Sequence, residues 1–303
     1  MSAPAIERSE ICAVVVTYFP KPGCVDNLAA ILSQVGKLVV VDNGSSAESF
    51  APVEEAGRRL GFTIVRLGAN LGIATALNAG LKLAHDQGFR WLATFDQDSQ
   101  PTPGMIEAMA AAFVAFPRPD TVAIITPCHV DRRLGVRVRE RGSGASGEGW
   151  RIIPSTMTSG NLVAVEIALG VGGFDDSLFI DYVDHEFCLR LRWHGYCVLE
   201  ALRARLLHSL GTMERRWFIF KHVTVTNHPV VRRYYSSRNR LIVWRGYWHH
   251  APVWVIRDIR RFVFETLYIV LYEQQPRAKF AAIVRGLRDG VRNVRGEFRP
   301  ASH

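Results

Sequence analysis

Apolar positions in the first half of the chain alternate between two patterns. Residues 11–18 (ICAVVVTY) form an unbroken, β-branched apolar run, as a strand buried on both faces requires. Pro20 and Pro22 end it, and residues 25–34 then set Val25, Leu28, Ala29, Ile31 and Leu32 at helical spacing. A second strand is predicted at 37–41 (KLVVV), closed by Asp42-Asn43-Gly44-Ser45-Ser46, a loop in which Ser45 or Ser46 can cap the next helix. The same reading gives a strand at 62–67, a loop at 70–72, and a helix at 73–87 with Ala76, Leu77, Gly80, Leu81 and Ala84 on one face. A strand at 91–95 ends at Asp96-Gln97-Asp98, and a helix at 103–116 has Pro103 in its first turn. A fifth strand follows at 122–126. Strands that alternate with helices imply a parallel α/β sheet. Ligands of such sheets bind at the carboxyl ends of the strands. The loops there carry Thr17, Asp42, Asn43, Asn70, Asp96 and Asp98.

Residues 131–150 break the alternation. They are rich in Arg and Gly and include GSGASGEG, which reads as a mobile loop over the site or, equally, as a plain surface insertion. Regular patterning returns at 158–165. A turn at Gly172-Gly173-Phe174-Asp175 precedes a helix near 182–194 and a strand-like run at 198–207 that ends at His208. Beyond residue 215 the segments 234–248, 254–272 and 278–294 are basic, apolar or aromatic, and helical in period.

Composition refines this picture. The 303 residues allow one large domain or two modest ones at about 150 residues each, and 48% hydrophobic content excludes a disordered or collagen-like chain. The net charge of +9 is unevenly spread: residues 203–303 hold 20 Lys and Arg against 6 Asp and Glu, a net +14, and residues 1–202 carry −5. We therefore expect a domain at 1–215 and a basic, aromatic-rich helical region at 216–303 with a different task. Five scattered cysteines make no disulfide framework or zinc pair and fit a reducing compartment. The N-terminal MSAPAIERSEI lacks the basic-then-apolar run of a signal peptide, and no run reaches the ~18 uncharged apolar residues of a spanning helix.

Candidate chemistry gathers at few places. Asp96 and Asp98 are two residues apart at a strand end and so point the same way. A hard divalent cation is commonly held by one or two carboxylates together with substrate phosphates. Asp42 and Asn43 suit a nucleoside's hydroxyls and base edge, or alternatively an Asx turn that caps a helix. Asp181, Asp184 and Glu186 lie among Phe179, Ile180, Tyr182, Phe187, Leu189 and Leu191. Partial burial there would raise a carboxyl's pKa, as suits a general base; a solvated acidic helix face is the alternative. His208 is a structural histidine or completes a metal shell.

Together VVVTYFP, VVVDNGSS, NLGIATALNAGL, FDQDS, TSGNLV, GGFDDSLFIDYVDHEFCLRL and HSLGT resemble the family 2 nucleotide-sugar glycosyltransferases, which have the GT-A fold. The forms FDQDS, LFIDYVDHEFCLR and RRYYSSRN most resemble bacterial rhamnosyltransferases that use dTDP-L-rhamnose. The resemblance spans roughly residues 11–245. It implies that Thr17, Asp42, Asn43 and Asn70 line the nucleotide pocket. Asp98 would touch Mg²⁺ (or Mn²⁺), Asp96 would lie nearer the ribose, and His208 would complete the metal site. Asp184 matches the aspartate of the family's Glu-Asp pair, the base of inverting members. Val183 stands where many relatives have the Glu, and Asp181 substitutes for it in the rhamnose-transferring group. Arg238 either adds positive charge at the diphosphate or stabilises the fold.

The resemblance therefore implies inverting transfer of L-rhamnose to a hydroxyl of a cell-surface glycan or lipid-linked saccharide. Another dTDP- or UDP-hexose donor, or a non-catalytic nucleotide-sugar or nucleic-acid binder, are the alternatives. The basic tail has no nucleic-acid-binding signature. Trp244, Tyr247, Trp248, Trp254, Phe262, Phe264 and Tyr268 mixed with Arg245, Arg257, Arg260 and Arg261 suit an anionic membrane surface, or else packing on the catalytic domain or a dimer interface. The expected location is the cytoplasmic face of the bacterial inner membrane.

Overall fold

The computed structural model describes residues 5–131, 144–208, 214–218 and 221–298. The chain divides into two compact units, residues 1–176 with 187–209 and residues 177–186 with 210–303. Of the expected mobile loop at 131–150, residues 132–143 lie outside the described residues, as do 209–212 of the HSLGT segment.

In the first unit β1 (Ile11–Thr17), α1 (Cys24–Leu32), β2 (Lys37–Asp42), α2 (Ala47–Leu60), β3 (Thr63–Arg66), α3 (Ile73–Asp86) and β4 (Trp91–Asp96) follow the expected alternation. After them come β5 (Gln100–Pro101), α4 (Met105–Ala115), β6 (Val122–Asp131), β7 (Ser146–Gly147), β8 (Trp150–Ile153), β9 (Asn161–Ala164) and α5 (Val165–Gly170). The unit closes with α6 (Val183–Trp193), which opens in the second unit, and β10 (Cys197–His208). Among the described residues one sheet runs β3-β2-β1-β4-β9-β6-β10-β8-β7, with β5 beside β10. Pairing is parallel across β3-β2-β1-β4 and between β6 and β10, whereas β9 is antiparallel to both its neighbours.

All seven residues of β1 are buried, which is why its sequence is apolar throughout rather than alternating. On one face Ile11, Ala13 and Val15 join a core that includes Leu28, Ile31, Phe50, Val53, Met105, Met109 and Phe113. Ser46 caps α2 as expected, accepting from the Ser49 amide at 3.3 Å. β1 lies between β2 and β4, so the order of connection reverses there. The carboxyl ends of β1 and β4 therefore flank a topological switch point. Register sets Thr17 beside Asp42, and Val16 beside Asp96.

The second unit contains a hairpin of β11 (Glu214–Phe218) and β12 (Lys221–Val225), then α7 (Val230–Tyr247), α8 (Pro252–Tyr272) and α9 (Pro276–Val291). Helix α9 lies directly on α7 at Gly286, where a Cβ would collide with the Tyr234 carbonyl oxygen. Several basic groups are spent inside. Arg233 is buried between Glu265 (2.8 Å) and Glu273, Lys279 meets Glu273 at 2.9 Å, and Arg240 meets Asp258 (3.1 Å) and Glu265 (3.0 Å). Such pairs offset the cost of taking charges out of water.

The aromatic residues divide differently from the interfacial pattern expected of them. Trp244 and Tyr247 are buried in the unit, because α7 packs on its neighbours along much of its length. Trp248 and Phe264 are exposed. Along α8 the exposed apolar residues are Val253, Ile256, Val263, Phe264, Leu267, Val270 and Leu271, a stripe at helical spacing that has exposed Arg257, Arg260 and Arg261 beside it. Phe280 and Val284 are exposed on α9. No helix of the described residues is long and apolar enough to cross a membrane.

Candidate active site

The loops at the switch point are built by side chains that bond one another. Thr17 and Asp42, adjacent in register, are fully buried, and the Thr17 hydroxyl donates to Asp42 Oδ1 at 3.3 Å. The Ser45 hydroxyl donates to the same oxygen, the Ser45 amide donates to Oδ2 at 3.1 Å, and Arg66 Nε lies 3.3 Å from Oδ2. Asp42 thus organises its loop as an Asx-type acceptor and pairs with a cation, so its burial does not leave a bare charge. Asn43 and Asn70 clasp each other: Asn43 Nδ2 donates to Asn70 Oδ1 at 3.0 Å. Each also holds backbone, Asn43 Oδ1 accepting from Leu71 N (2.9 Å) and Asn70 Oδ1 from Gly72 N (3.1 Å) at the start of α3. The two loops meet so closely that a Cβ on Gly44 would lie 2.5 Å from the Ala69 carbonyl carbon, and Gly44 has φ +93°.

The Asp96-Gln97-Asp98 turn follows β4. Asp96 is half-buried and Asp98 exposed. Gln97 is the clasp: its Oε1 accepts from the Tyr18 amide at 2.9 Å and its Nε2 donates to the Tyr18 carbonyl at 3.2 Å. Asn27 Nδ2 holds the Gln97 carbonyl at 3.0 Å. From beneath, Ser159 Oγ accepts from the Asp96 amide at 3.0 Å and donates to Ser99 Oγ at 2.8 Å. The Ser159 carbonyl accepts the His129 ring Nε2 at 2.8 Å. Asp98 lies near the buried Cys24, whose thiol is pushed up to about 11 by burial and, less, by this carboxylate. Sequence reasoning gave Gln97 and Ser159 no role; the motif TSGNLV contains the signal for Ser159, but its buttressing position needs the β4–β9 pairing to be seen.

Two carboxylates on a clasped turn are hard oxygen donors of the kind a Mg²⁺ or Mn²⁺ ion takes, so the chemistry of this pair fits a divalent cation. Among the described residues no group of three His, Cys, Asp or Glu side chains is placed to hold a metal ion. His208 is the last residue of β10, paired in register with Asp131 of β6; its side chain lies outside those described.

The acidic cluster lies in the second unit. Asp184 sits half-buried in the first turn of α6. Its Oδ1 accepts from the His185 amide at 2.8 Å. Asp181 lies before that helix rather than on it, so the acids do not form one acidic helix face. Phe179, Asp181 and Tyr182 have φ of 66°, 62° and 67°, so the chain coils through left-handed conformations before α6 begins. Each such non-glycine residue costs about 1–2 kcal/mol and must be held by its surroundings. Asp181 Oδ1 pairs with Arg232 Nε at 2.9 Å, whereas Oδ2 is buried with no hydrogen-bond partner among the described residues. Burial pushes the Asp181 carboxyl upward against the pull of Arg232, and Asp184 and Glu265 add to the rise. Glu186 is buried and accepts from the Tyr247 hydroxyl at 2.7 Å.

Arg238 has two readings from the sequence, a diphosphate contact and a fold-stabilising ion pair. It is fully buried in the second unit, and its guanidinium donates to Asn239 Oδ1 (2.9 Å), the Gly296 carbonyl (2.6 Å) and the Leu178 carbonyl (3.1 Å). Those bonds give it the fold-stabilising task, through carbonyls rather than an ion pair.

Residues 12–164, half of the chain, match the model of the glycosyl transferase family 2. The chain is 28% identical to the dTDP-rhamnosyl transferase RfbF of Shigella flexneri over 95% of its own length and 98% of the relative's. It is 27% identical to the galactofuranosyltransferase GlfT1 of Mycobacterium tuberculosis over 76% of this chain and 80% of that one. Among solved structures, S. aureus TarS 1–349 in complex with UDP-GlcNAc aligns at TM-score 0.62 and 13% identity, over 94% of this chain and 81% of that one. GalNAc-T7 with UDP, GalNAc and Mn²⁺ aligns at TM-score 0.60 and 11% identity, over 94% of this chain but only 56% of that longer one. These neighbours share the fold, a GT-A arrangement of a mostly parallel sheet flanked by helices. The chain therefore belongs to glycosyl transferase family 2, and it is a glycosyltransferase of the GT-A fold.

Proposed function

We propose that the protein transfers L-rhamnose from dTDP-β-L-rhamnose, with inversion, to a hydroxyl of a cell-surface glycan or glycolipid. The observation that carries this reading is the similarity to a dTDP-rhamnosyl transferase along 95% of the chain. Thr17, Asp42, Asn43 and Asn70 build the pocket for the base and ribose, at the strand ends where an α/β sheet receives nucleotides. Asp98 would hold Mg²⁺ or Mn²⁺, with Asp96 toward the ribose and His208 completing the set, and the ion would supply positive charge against the departing diphosphate. Asp184 takes the proton from the acceptor hydroxyl as its oxygen bonds to the anomeric carbon and the bond to dTDP breaks. One bond forms as one breaks on the opposite face, so the β-linked donor gives an α-linked rhamnoside. Asp181, whose carboxyl burial has raised, assists there in place of the Glu that Val183 replaces.

The acceptor is a saccharide held at a membrane, and the enzyme docks on the cytoplasmic face of the inner membrane through the apolar stripe and arginines of α8. The similarity to a galactofuranosyltransferase favours, as the second reading, a different hexose donor. A donor screen tests both: purified protein with Mg²⁺ is given dTDP- and UDP-sugars, and nucleoside diphosphate release is measured. Release from dTDP-rhamnose, lost in Asp98→Ala, is expected. Turnover of a UDP-hexose with none of dTDP-rhamnose would reject the rhamnose reading.

A further inference from the structure

We infer that Asn239 is a positioning residue for the catalytic carboxylates, clamping the turn that presents Asp181 and leads into Asp184. This rests on the reading of those two acids as catalytic.

Within the turn Ile180 N donates to the Leu178 carbonyl at 2.8 Å, and the rest of its shape is held from outside. Phe179, Asp181 and Tyr182 are all left-handed, and none of them is glycine. Its carbonyls point inward, and one side chain collects them. The Asn239 amide nitrogen donates to the carbonyls of Leu178 (2.8 Å), Ile180 (2.7 Å) and Asp181 (2.9 Å). Asn239 is fully buried. Its amide orientation is fixed because Oδ1 accepts from Arg238 Nε at 2.9 Å, and Arg238 itself reaches the Leu178 carbonyl at 3.1 Å. Only a primary amide offers, at this length, two N–H donors toward carbonyls and an oxygen toward a guanidinium.

A second anchor holds the other end of the turn. The Tyr182 hydroxyl donates to Asp258 Oδ2 at 2.6 Å and accepts from Arg240 Nε. Trp244 Nε1 donates to the same Asp258 oxygen at 2.8 Å. Asp181 lies between the two anchors, and α6 starts one residue after Tyr182, with Asp184 in its first turn. Asn239 acts through a neutral amide on backbone carbonyls, so it fixes where the carboxylates stand without neutralising them.

The chemistry predicts a specific deficit. In Asn239→Asp the side chain keeps its size and its contact with Arg238 but turns an acceptor on three buried carbonyls, so the turn must open. A displacement of about 1 Å in a catalytic group can cost 10²-fold. We expect kcat, counted per dTDP-binding site, to fall about 100-fold, with the KM for dTDP-rhamnose and the Kd for dTDP unchanged. Tyr182→Phe keeps the packing and the Arg240–Asp258 pair, so it serves if the first variant does not fold; a roughly 10-fold fall in kcat alone is expected. A merely structural role would reduce the number of binding sites and leave kcat per site intact, and that result, or kcat within threefold of wild type in both variants, overturns the inference. Asp184→Asn and Asp181→Asn, measured alongside, separate the causes. If both stay active, the carboxylate reading fails and takes the inference with it. If either is inactive while the clamp variants turn over normally, the positioning inference alone fails.

Discussion

Asp181 carries a conflict between stability and chemistry. Among the described residues its Oδ2 is buried without a hydrogen-bond partner, and the cation beside it, Arg232, is itself 46% exposed and so only weakly stabilising. A carboxyl whose folded pKa is raised makes the folded state bind more protons than the unfolded one, so stability falls as pH rises through that range. The penalty is absent below the ordinary aspartate range and complete once pH exceeds the raised folded value. Asp181→Asn removes it. The variant should therefore melt higher than wild type at neutral pH, with the gap closing as the solution is acidified toward pH ~4. Its sugar-transfer rate should be lower at every pH. Thermal melts of both proteins across pH 4–8 measure this; a variant less stable than wild type at pH 7 would show that the Arg232 pair outweighs the buried charge.

At the scale of elements, the loop after β2 works because it carries a glycine where two loops cross. Gly44→Ala puts a Cβ 2.5 Å from one backbone atom of residue 69 and 2.6 Å from the Asn70 amide nitrogen, at a φ of +93°. Strain of this kind costs roughly 1–3 kcal/mol, or about 2–12 °C in Tm for a unit of this size. The displaced Asn70 should also weaken dTDP binding, since Asn43 and Asn70 hold one another; calorimetric titration of the variant checks it, and undiminished affinity would separate the clasp from the nucleotide pocket. The elements of the first unit were largely legible because β1, β2 and β4 are buried on both faces and announce it with continuous apolar runs. Their ends, with Asp42, Asp96 and Asp98, were legible for the same reason. Helix α2 was harder to bound because it contains Pro52. The turn before α6 was not legible at all: no glycine marks its left-handed residues, and its shape comes from Asn239, about sixty residues away. The role of Arg238 stays open in the sequence for a related reason, since a guanidinium offered to phosphate and one offered to backbone carbonyls look identical there.

Over the whole molecule, the +14 of residues 203–303 resolves into charge used inside and charge left outside. Arg233, Arg238, Arg240 and Lys279 are buried and engaged within the second unit, so they attract no partner. Arg257, Arg260 and Arg261 are exposed beside the apolar stripe of α8, and Arg277, Arg285 and Arg288 are exposed on α9. This pairing of arginine with Ile256, Val263, Phe264, Leu267 and Leu271 suits the boundary of an anionic bilayer, where apolar side chains enter the acyl region while guanidinium groups stay with the headgroups. Each basic group near such a surface contributes about 1 kcal/mol. Replacing Arg257, Arg260 and Arg261 with Gln should then weaken binding to vesicles of anionic lipid by roughly 3 kcal/mol, on the order of 100-fold. Binding to purely zwitterionic vesicles should barely change, and the difference should shrink in high salt. Phe264, Leu267 and Leu271 changed together to Ser should weaken binding to both kinds of vesicle, because burial of apolar area does not depend on headgroup charge. Co-sedimentation with the two vesicle types reads both effects. If neither variant differs from wild type, α8 faces something other than lipid, and a concentration-dependent dimer that the serine variant alone dissolves would identify a second copy of the chain as its cover.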